Sequence, residues 1–274
     1  AITPARFNSD ERRLFEASGC AGKIAVFAVR LDTFPKPKKE QVFFVGTNDP
    51  NRFTVLRQKI LSQFKKLPDM GEYMHRSYFD GADKYCKDSF LLLKYLGTEF
   101  VPMLLSIKRT VDNISTNIPF LPDHFSDKLL QFVAQLLPDH LPRRIRDYRQ
   151  RFEHYMLILS SDSCIAEMCQ LLNNEGEIEY FECTKQEGSD ALLHRYVAGS
   201  APARFSLINP DKSGDLLPLD VAFPRNCQSW DQILPNEIVS QMAESFTMGH
   251  FLCMVFHWDF VVKKGVDVSK LKNQ

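Results

Sequence analysis

The stretch QVFFVGTNDPNRFTVLRQKILSQFKKLPDMGEYMHR, residues 41–76, decides the fold. QVFFVGT (41–47) is rich in β-branched and aromatic residues between polar neighbours, which predicts a strand. The apolar side chains of residues 50–65 recur at helical spacing, which predicts a helix. GEYMHR (71–76) then predicts a returning strand, so that the stretch forms one strand–helix–strand unit.

Two further units repeat this order along the chain. The second has a strand at 153–160, a helix at 163–176 and a strand at 178–184; the third has a strand at 217–225, a helix at 231–246 and a long strand or bent hairpin at 250–264. Three such units predict an α+β fold, with an antiparallel or mixed sheet of ferredoxin-like βαβ units that helices cover on one face.

Residues 77–150, between the first two units, have a different character. They hold few strand signals and read as short apolar helices separated by prolines, among them Pro102, Pro119, Pro122 and Pro138. The economical interpretation is a mostly helical domain inserted into the sheet domain.

Composition excludes several classes of function. The 34 Lys and Arg residues balance 34 Asp and Glu residues, so no overall charge draws the chain to nucleic acid or to anionic lipid. The seven cysteines include no C-x-x-C pair, which indicates reduced thiols and no zinc site, and we predict no metal. No apolar run approaches the roughly 20 residues of a membrane-spanning helix.

A local basic patch remains, in the stretch LPRRIRDYRQR that follows the apolar stretch LLQFVAQLL. One interpretation is a solvated face beside an ordinary core helix; the other is a peripheral membrane surface that contacts anionic phospholipid. The candidate membrane-binding residues are Arg143, Arg144, Arg146, Arg149 and Arg151. A nucleic-acid partner is not expected, because no aromatic platform is interleaved with the arginines.

Candidate chemistry lies near the end of the sequence, in GHFLCMVFH (249–257). His250 and His257 are seven residues apart and would face opposite sides of a plain strand, whereas a bulge between them would restore a common face. Arg225 and Lys263 lie at predicted strand ends, where a cation suits a carboxylate. The sequence holds neither G-x-x-x-x-G-K-[ST] nor G-x-G-x-x-G.

The segment SGCAGKIAVFAVRLDTF (18–34) resembles the last strand of the FAD domain in flavoproteins of the vanillyl-alcohol-oxidase type. Together with TPARFNSD, GEYMHR, RDYRQRFEHY, EGSDALLHRY, GHFLCMVFHWDF and VVKKGVDVSKLK, it makes the chain similar, over essentially all 274 residues, to the family of bacterial quinone-dependent D-lactate dehydrogenases. This resemblance implies FAD as the cofactor. It places Gly22, Lys23, Ile24, Ala25 and Val26 beside the flavin.

The resemblance also implies the domain organisation. The end of the FAD-binding domain occupies 1–32, the cap domain 33–76, 151–186 and 214–274, and the membrane-binding domain 77–150 and 187–213. Since the main FAD-binding half of the family is missing before residue 1 and its last segment after residue 274, we interpret the chain as a fragment.

Related 2-hydroxyacid dehydrogenases carry the cap motif G-H-x-G-D-G-N-x-H, whose histidines face the substrate. This chain keeps its spacing with Gly249, His250 and His257 but replaces the central G-D-G-N with Leu252–Val255, and the prediction of no metal rests on this departure. The resemblance therefore implies that His257 or His250 is the catalytic base. Arg225, Lys263 and Arg76 are the candidates that bind the substrate carboxylate.

The function implied for the parent enzyme is oxidation of D-lactate to pyruvate, with electrons passing from FAD to membrane quinone at the cytoplasmic face of the bacterial inner membrane. The fragment alone is expected to be inactive. Two alternatives stay open: a non-catalytic module that binds lipid or another protein, and a sibling dehydrogenase for another D-2-hydroxy acid.

Overall fold

The structure is a computed structural model that describes residues 25–28, 35–224, 226–231 and 234–272. Within these residues the chain forms one seven-stranded sheet in the order β4-β1-β3-β2-β6-β7-β5, in which every neighbouring pair is antiparallel. The strands are β1 (Glu40–Thr47), β2 (Met70–His75), β3 (His154–Ser161), β4 (Glu179–Glu182), β5 (Ser213–Ala222), β6 (Met242–His250) and β7 (Val255–Lys263). The predicted α+β fold with an antiparallel sheet is confirmed.

Eleven α-helices accompany the sheet in the described residues. They are α1 (Asn51–Gln63), α2 (Arg76–Tyr85), α3 (Lys87–Leu96), α4 (Val101–Ser115), α5 (Phe125–Leu136), α6 (Arg143–Arg151), α7 (Ser163–Asn173), α8 (Lys185–Ala198), α9 (Ala201–Ile208), α10 (Asn236–Val239) and α11 (Val268–Leu271). Because α2 to α6 fill the interval between β2 and β3, the prediction that residues 77–150 are helical is confirmed.

The first two predicted units form the ferredoxin-like half of the sheet. β1-α1-β2 and β3-α7-β4 interleave so that the strands lie in the order β4-β1-β3-β2. The turn into α1 is held locally, since Asp49 Oδ1 accepts the amide N–H of Asn51 at 3.1 Å and Pro50 is the N-cap residue. The residues that form this turn are within a few positions of each other in the sequence. This half of the sheet can therefore be predicted from local sequence patterns.

The predicted helix 231–246 in the third unit is wrong. Of the residues described in this range, only the single turn α10 is helical, and residues 242–250 form β6, which pairs with β2 on one side and β7 on the other. Ala243 and Glu244 favour a helix in isolation. The buried side chains of Phe246 and Met248, two residues apart, fit a strand between two others, and the tertiary pairing prevails.

Helices cover both faces of the sheet, and the prediction of one covered face is therefore wrong. On the first face α1 and α7 pack on Phe43, Val45 and Ile158. On the second face α2, α3, α6, α8 and α9 pack on strand residues that include Phe44 and Leu157. The second core joins the inserted helices α2, α3 and α6 to the sheet, whereas the domain boundaries predicted from the resemblance stay predictions.

The described cysteines are free thiols, and Cys86, Cys164 and Cys183 are buried. Burial raises the pKa of the Cys183 thiol to about 12 and that of the Cys86 thiol to about 11. These thiols therefore stay protonated at neutral pH and behave as core residues. This agrees with the reduced cysteines expected from the sequence; Cys20 lies outside the described residues.

Candidate functional site

The two predicted histidines come together at the β6–β7 connection. β6 ends at His250, a short 3-10 turn follows at Phe251–Cys253, and Met254 takes a left-handed conformation (φ 57°) before β7 begins. In the hairpin register Met248 pairs with His257 and His250 pairs with Val255, so that both imidazoles lie on the same face of the sheet. The Nε2 atoms are 3.3 Å apart. A hairpin, and not a bulge in one strand, brings the histidines together.

The Nδ1 atom of each imidazole is hydrogen-bonded to a carboxylate on the adjacent strand. His250 Nδ1 lies 2.9 Å from Glu72 Oε1 on β2, and His257 Nδ1 lies 2.6 Å from Asp220 Oδ1 on β5. Both are cross-strand pairs in the sheet register. The four side chains thus form a row across β2, β6, β7 and β5, defined here as the histidine row.

The protonation of the histidine row follows from its hydrogen bonds. An ionised carboxylate only accepts, so each Nδ1–H donates to its carboxylate and each Nε2 carries a lone pair. Two such lone pairs facing each other at 3.3 Å are favourable when one proton is shared between them. The pair can therefore take up or release a proton at Nε2, which is the task of a general base.

A buried arginine completes the row at the β2 end. Arg195 on α8 places Nη2 2.6 Å from Glu72 Oε2, and both side chains are almost buried. Burial lowers the pKa of Arg195, while the Glu72 carboxylate raises it. Glu72 contacts Arg195 and His250 together, since its Oε2 atom is also 3.1 Å from His250 Nδ1, so that its position is fixed from two sides and it fixes the ring of His250 in turn.

A second pair, of which only Tyr78 is fully buried, lies beside His257. Asp259 is two residues further along β7, and Tyr78 on α2 donates its hydroxyl to Asp259 Oδ2 at 2.6 Å. Burial raises the pKa of Asp259, with the Tyr78 hydrogen bond lowering it, and burial likewise raises that of Tyr78. This pair anchors α2 on the strand that carries His257.

The predicted carboxylate-binding cations do not gather at this row. Lys263 donates to the carbonyl of Ser240 at 2.7 Å, and it lies six residues beyond His257, roughly 20 Å along the strand. Arg76 donates to the carbonyl of Phe152 on the β3 side of β2, whereas His250 lies on the β6 side. Arg225 lies outside the described residues.

Sequence reasoning missed Glu72, Asp220 and Arg195. Glu72 and Asp220 were inside predicted strands, in GEYMHR and LPLDVAF, where a carboxylate among apolar neighbours is a usable signal. Arg195 gave no such signal. Its partner is on another element far along the chain, and only the fold brings the two together.

The five candidate membrane-binding arginines on α6 are all engaged in ion pairs. The pairs are Arg143–Asp147, Arg144–Glu187, Arg146–Asp139, Arg149–Asp80 and Arg151–Glu179. Arg144 also lies over the ring of Phe181 at 4.4 Å, and Arg151 over that of Tyr148 at 4.8 Å. Arg143 is 89% exposed and pairs with Asp147 on the same helix. The other four arginines join α6 to residues outside it.

One cluster in the described residues has ligand atoms close enough for a metal, formed by His75, Glu153 and His154. Both imidazoles already have structural partners: His75 Nδ1 accepts the amide N–H of Ser77 as the N-cap of α2, and His154 Nδ1 bonds the Tyr73 hydroxyl at 2.8 Å. The prediction of no metal stays a prediction.

The candidate flavin-contacting segment is described only in part. Gly22, Lys23 and Ile24 lie outside the described residues. Ala25 and Val26 belong to 25–28, which have no regular secondary structure, so the strand predicted through 18–34 is wrong over these four residues. Their side chains are exposed, and Phe27 is 98% exposed.

Within the described residues, no single helix has both the length and the apolar composition to cross a bilayer. One pair of helical segments, Lys87–Leu96 and Thr98–Ser115, passes that test only when both are taken together, and the two are bent by 112°.

The family model and the curated relatives that match this chain all name D-lactate dehydrogenase. Residues 42–274 match the family described as D-lactate dehydrogenase, membrane binding. Quinone-dependent D-lactate dehydrogenase of Escherichia coli K12 is 46% identical over 100% of the chain and 48% of its own length. Those of Haemophilus influenzae and Corynebacterium glutamicum are 44% and 39% identical, over 98% and 99% of the chain and 49% and 48% of their own lengths.

The chain thus spans about half the length of the curated relatives it matches. Among solved structures, 4-ethylphenol oxidase from Gulosibacter chungangensis in its isoeugenol complex covers 84% of the chain and 40% of its own, at 5% identity and a TM-score of 0.38. That TM-score is too low to support an inference about this chain. The family resemblance expected from the sequence is confirmed by the other comparisons.

Proposed function

The chain belongs to the D-lactate dehydrogenase, membrane-binding family, and from this premise we propose that it is the cap and membrane-binding half of a respiratory flavoenzyme. The enzyme oxidises D-lactate to pyruvate and passes the electrons to membrane quinone. The observation that carries this proposal is the pair of Nε2 atoms 3.3 Å apart, each ring held by a carboxylate.

The pair suits the proton transfer that this oxidation requires. Conversion of a 2-hydroxy acid to a 2-oxo acid removes one proton from the hydroxyl and a hydride from the carbon that bears it. We assign the proton to the Nε2 atoms of His257 and His250, which face each other between two partly exposed rings. The carboxylates bonded to Nδ1 fix the orientation of both rings and leave each Nε2 as the acceptor.

FAD is the cofactor proposed to receive the hydride when it is bound. The described residues fit a flavin contact in two respects. The Nε2 atoms lie on a sheet face that the helices leave open at His250 and His257, and the apolar side chains of Val26 and Phe27 are exposed. Both features suit a ring system brought by polypeptide outside this chain, with Gly22–Val26 beside it.

For the substrate carboxylate, Arg225 stays the candidate among the three predicted cations, because Lys263 and Arg76 are bonded elsewhere. Arg195 contributes through Glu72 and is a positioning residue. Membrane attachment follows from the family, and the cytoplasmic face of the inner membrane and the quinone partner are parts of the proposal.

The test uses the complete protein with D-lactate and a soluble quinone analogue. His257→Gln and His250→Gln should each lower kcat by about 100-fold or more, since a general base typically contributes at least that factor. The matched control is His124→Gln, at an exposed histidine outside the row. Flavin content should be unchanged in all three variants. Wild-type rates in both histidine variants would overturn the assignment.

Two alternatives have separate tests. If the chain is a non-catalytic module, it should bind its lipid or protein partner without any D-lactate-dependent reduction in the complete protein. If the enzyme is a sibling dehydrogenase, another D-2-hydroxy acid should give a higher kcat/KM than D-lactate. A yellow and active product from this chain alone with added FAD would contradict the proposed need for further polypeptide.

A further inference from the structure

Helix α5 is amphipathic, but its polar side is buried and its apolar side is exposed. Its buried side includes the polar residues Ser126, Asp127 and Gln131, whereas its apolar side chains point outward. The exposed set is Leu129, Phe132, Val133 and Leu136, which recur at helical spacing on one side; Phe132 is 60% and Leu136 71% exposed. A helix of a water-soluble domain normally shows the opposite arrangement.

The inner side of α5 is tethered by charge and hydrogen bonds. Asp127 is bonded by Lys108 at 2.7 Å and by Arg204 at 3.0 Å, and Arg204 also bonds Asp88. Gln131 Nε2 donates to the carbonyl of Lys84 at 2.9 Å. Rotation of α5 to hide its apolar side would break these buried contacts, so the orientation is fixed by the fold.

Helix α4 contacts α5 and extends the same apolar surface. Its only buried residue is Ser115. Met103, Ile107 and Ile114 lie on one stripe at spacings of four and seven residues, and all three are exposed. Phe100 precedes the helix and Phe120 follows it, the latter 84% exposed. We define these five residues with Leu129, Phe132, Val133 and Leu136 as the apolar shelf.

An apolar surface of this extent, fixed outward by ion pairs, indicates a partner that excludes water. Few charges are exposed within the same segment, Arg109 against Glu99 and Asp123, and Lys128 is half-buried. The shelf therefore offers no electrostatic match for a charged protein surface. It lies within the residues matched by a family described as membrane binding, which names the partner as a lipid surface.

We propose that the apolar shelf enters the acyl-chain region of one leaflet and provides the main membrane anchor. The α6 arginines, already paired with carboxylates, instead fasten α6 to the molecule. This deepens the proposed function and rests on it only in taking a membrane as the partner. Because only the outer side of α4–α5 is free, attachment is one-sided and depends on apolar contact more than on lipid charge.

The first test measures insertion directly with Phe132→Trp in the complete protein. Both native tryptophans, Trp230 and Trp258, are buried, so the new indole reports on the shelf. On addition of neutral phosphatidylcholine vesicles with brominated acyl chains, its emission should shift to the blue and be quenched by at least half, also in 0.5 M NaCl. The control Leu61→Trp, exposed on α1 across the sheet, should show neither change.

The second test measures affinity for the same vesicles. Phe132→Gln with Leu136→Gln should weaken partitioning at least tenfold, and the matched pair Leu61→Gln with Leu67→Gln, also exposed, should not. Rates of D-lactate oxidation with a soluble dye should be unchanged in both. If neither the wild type nor either double variant oxidises D-lactate, the proposed function is wrong.

Three results would overturn the shelf as anchor. One is vesicle binding by the Phe132→Trp protein without quenching. Another is binding that requires anionic lipid and disappears in 0.5 M NaCl. The third is self-association of the complete protein that the Phe132→Gln and Leu136→Gln changes abolish, without lipid binding in either form, which would identify a second copy as the occupant.

Discussion

At the scale of single residues, the central feature is a carboxylate that serves two partners. Glu72 lies within hydrogen-bonding distance of His250 Nδ1 through both of its oxygens and pairs with Arg195 through Oε2, and it is almost buried. A carboxylate in that position orients the imidazole and leaves Nε2 as the nitrogen free to bond elsewhere. Reactivity at His250 Nε2 is therefore set by residues on β2 and α8 that do not touch the substrate.

Glu72→Gln tests this dependence. The amide keeps the size of the side chain and an acceptor for His250 Nδ1–H but removes the negative charge. We expect kcat to fall by about 10- to 100-fold, the range seen for partners behind a functional histidine. The loss should appear in kcat more than in KM, because the change disturbs the orientation of the His250 ring.

The matched control is Glu244→Gln, on β6 six residues before His250 and partly exposed. A purely structural role for Glu72 would lower stability and leave kcat of the folded protein unchanged. That outcome, or an equal fall of kcat in Glu244→Gln, would refute the positioning role.

Three buried histidines predict acid sensitivity. Burial lowers the pKa of His194 to about 3 and those of His140 and His154 to about 4. The pKa of each histidine in the folded state is thus below the ordinary value near 6.5. Between these two pKa values the unfolded chain binds more protons than the folded chain. The free energy of unfolding should fall as pH drops from about 6.5 toward 4, by about 2 kcal/mol for one such histidine at pH 5.

Urea denaturation of the wild type and His194→Gln at pH 7.5 and pH 5.0 measures this loss. His194 donates from Nε2 to the carbonyl of Phe79, and the Gln amide retains a donor. The variant should lose about 2 kcal/mol less than the wild type over that interval. Equal losses would show that His194 does not contribute.

At the scale of elements, the β6–β7 hairpin positions the site. Gly249 precedes His250, and a Cβ added there would lie 2.7 Å from the carbonyl oxygen of Val255 and 3.0 Å from the Cα of Phe256. Both neighbours are backbone atoms of β7, so the two strands would have to separate. This glycine is required by the close approach of the strands that carry the histidines.

Gly249→Ala should therefore destabilise the protein by about 1–3 kcal/mol, the usual range for overpacking, and lower activity by displacing His250. Gly176→Ala is the matched control, since a Cβ there meets nothing within 4 Å. Thermal unfolding and activity measured on both variants test the claim. Equal stability of the two variants would contradict it.

The elements also show what the sequence can reveal. β1, α1 and β2 follow from local periodicity and turn residues. β6 does not, because residues 242–250 become a strand only between β2 and β7. The histidines could be named from the motif, but Glu72 is 178 residues from His250 and could be paired with it only once the fold was known.

At the scale of the whole molecule, one sheet connects the proposed proton-transfer site with the proposed membrane anchor. The histidine row lies on the second face of the sheet, and the helices that pack on that face include α2, α3, α6, α8 and α9. α5 is fastened to α9 by the ion pair of Asp127 with Arg204. The apolar shelf and the histidine row thus belong to one continuous structure, which suits an enzyme that passes electrons to a quinone in the membrane.

The most direct test of the account is the rate of flavin reduction by D-lactate in a single turnover, followed without oxygen in a stopped-flow instrument. The complete protein and its His257→Gln variant would be compared at equal flavin content. The account predicts bleaching of the flavin by D-lactate in the wild type and a rate about 100-fold or more lower in the variant. Bleaching at the wild-type rate in the variant, or none by D-lactate in the wild type, would contradict it.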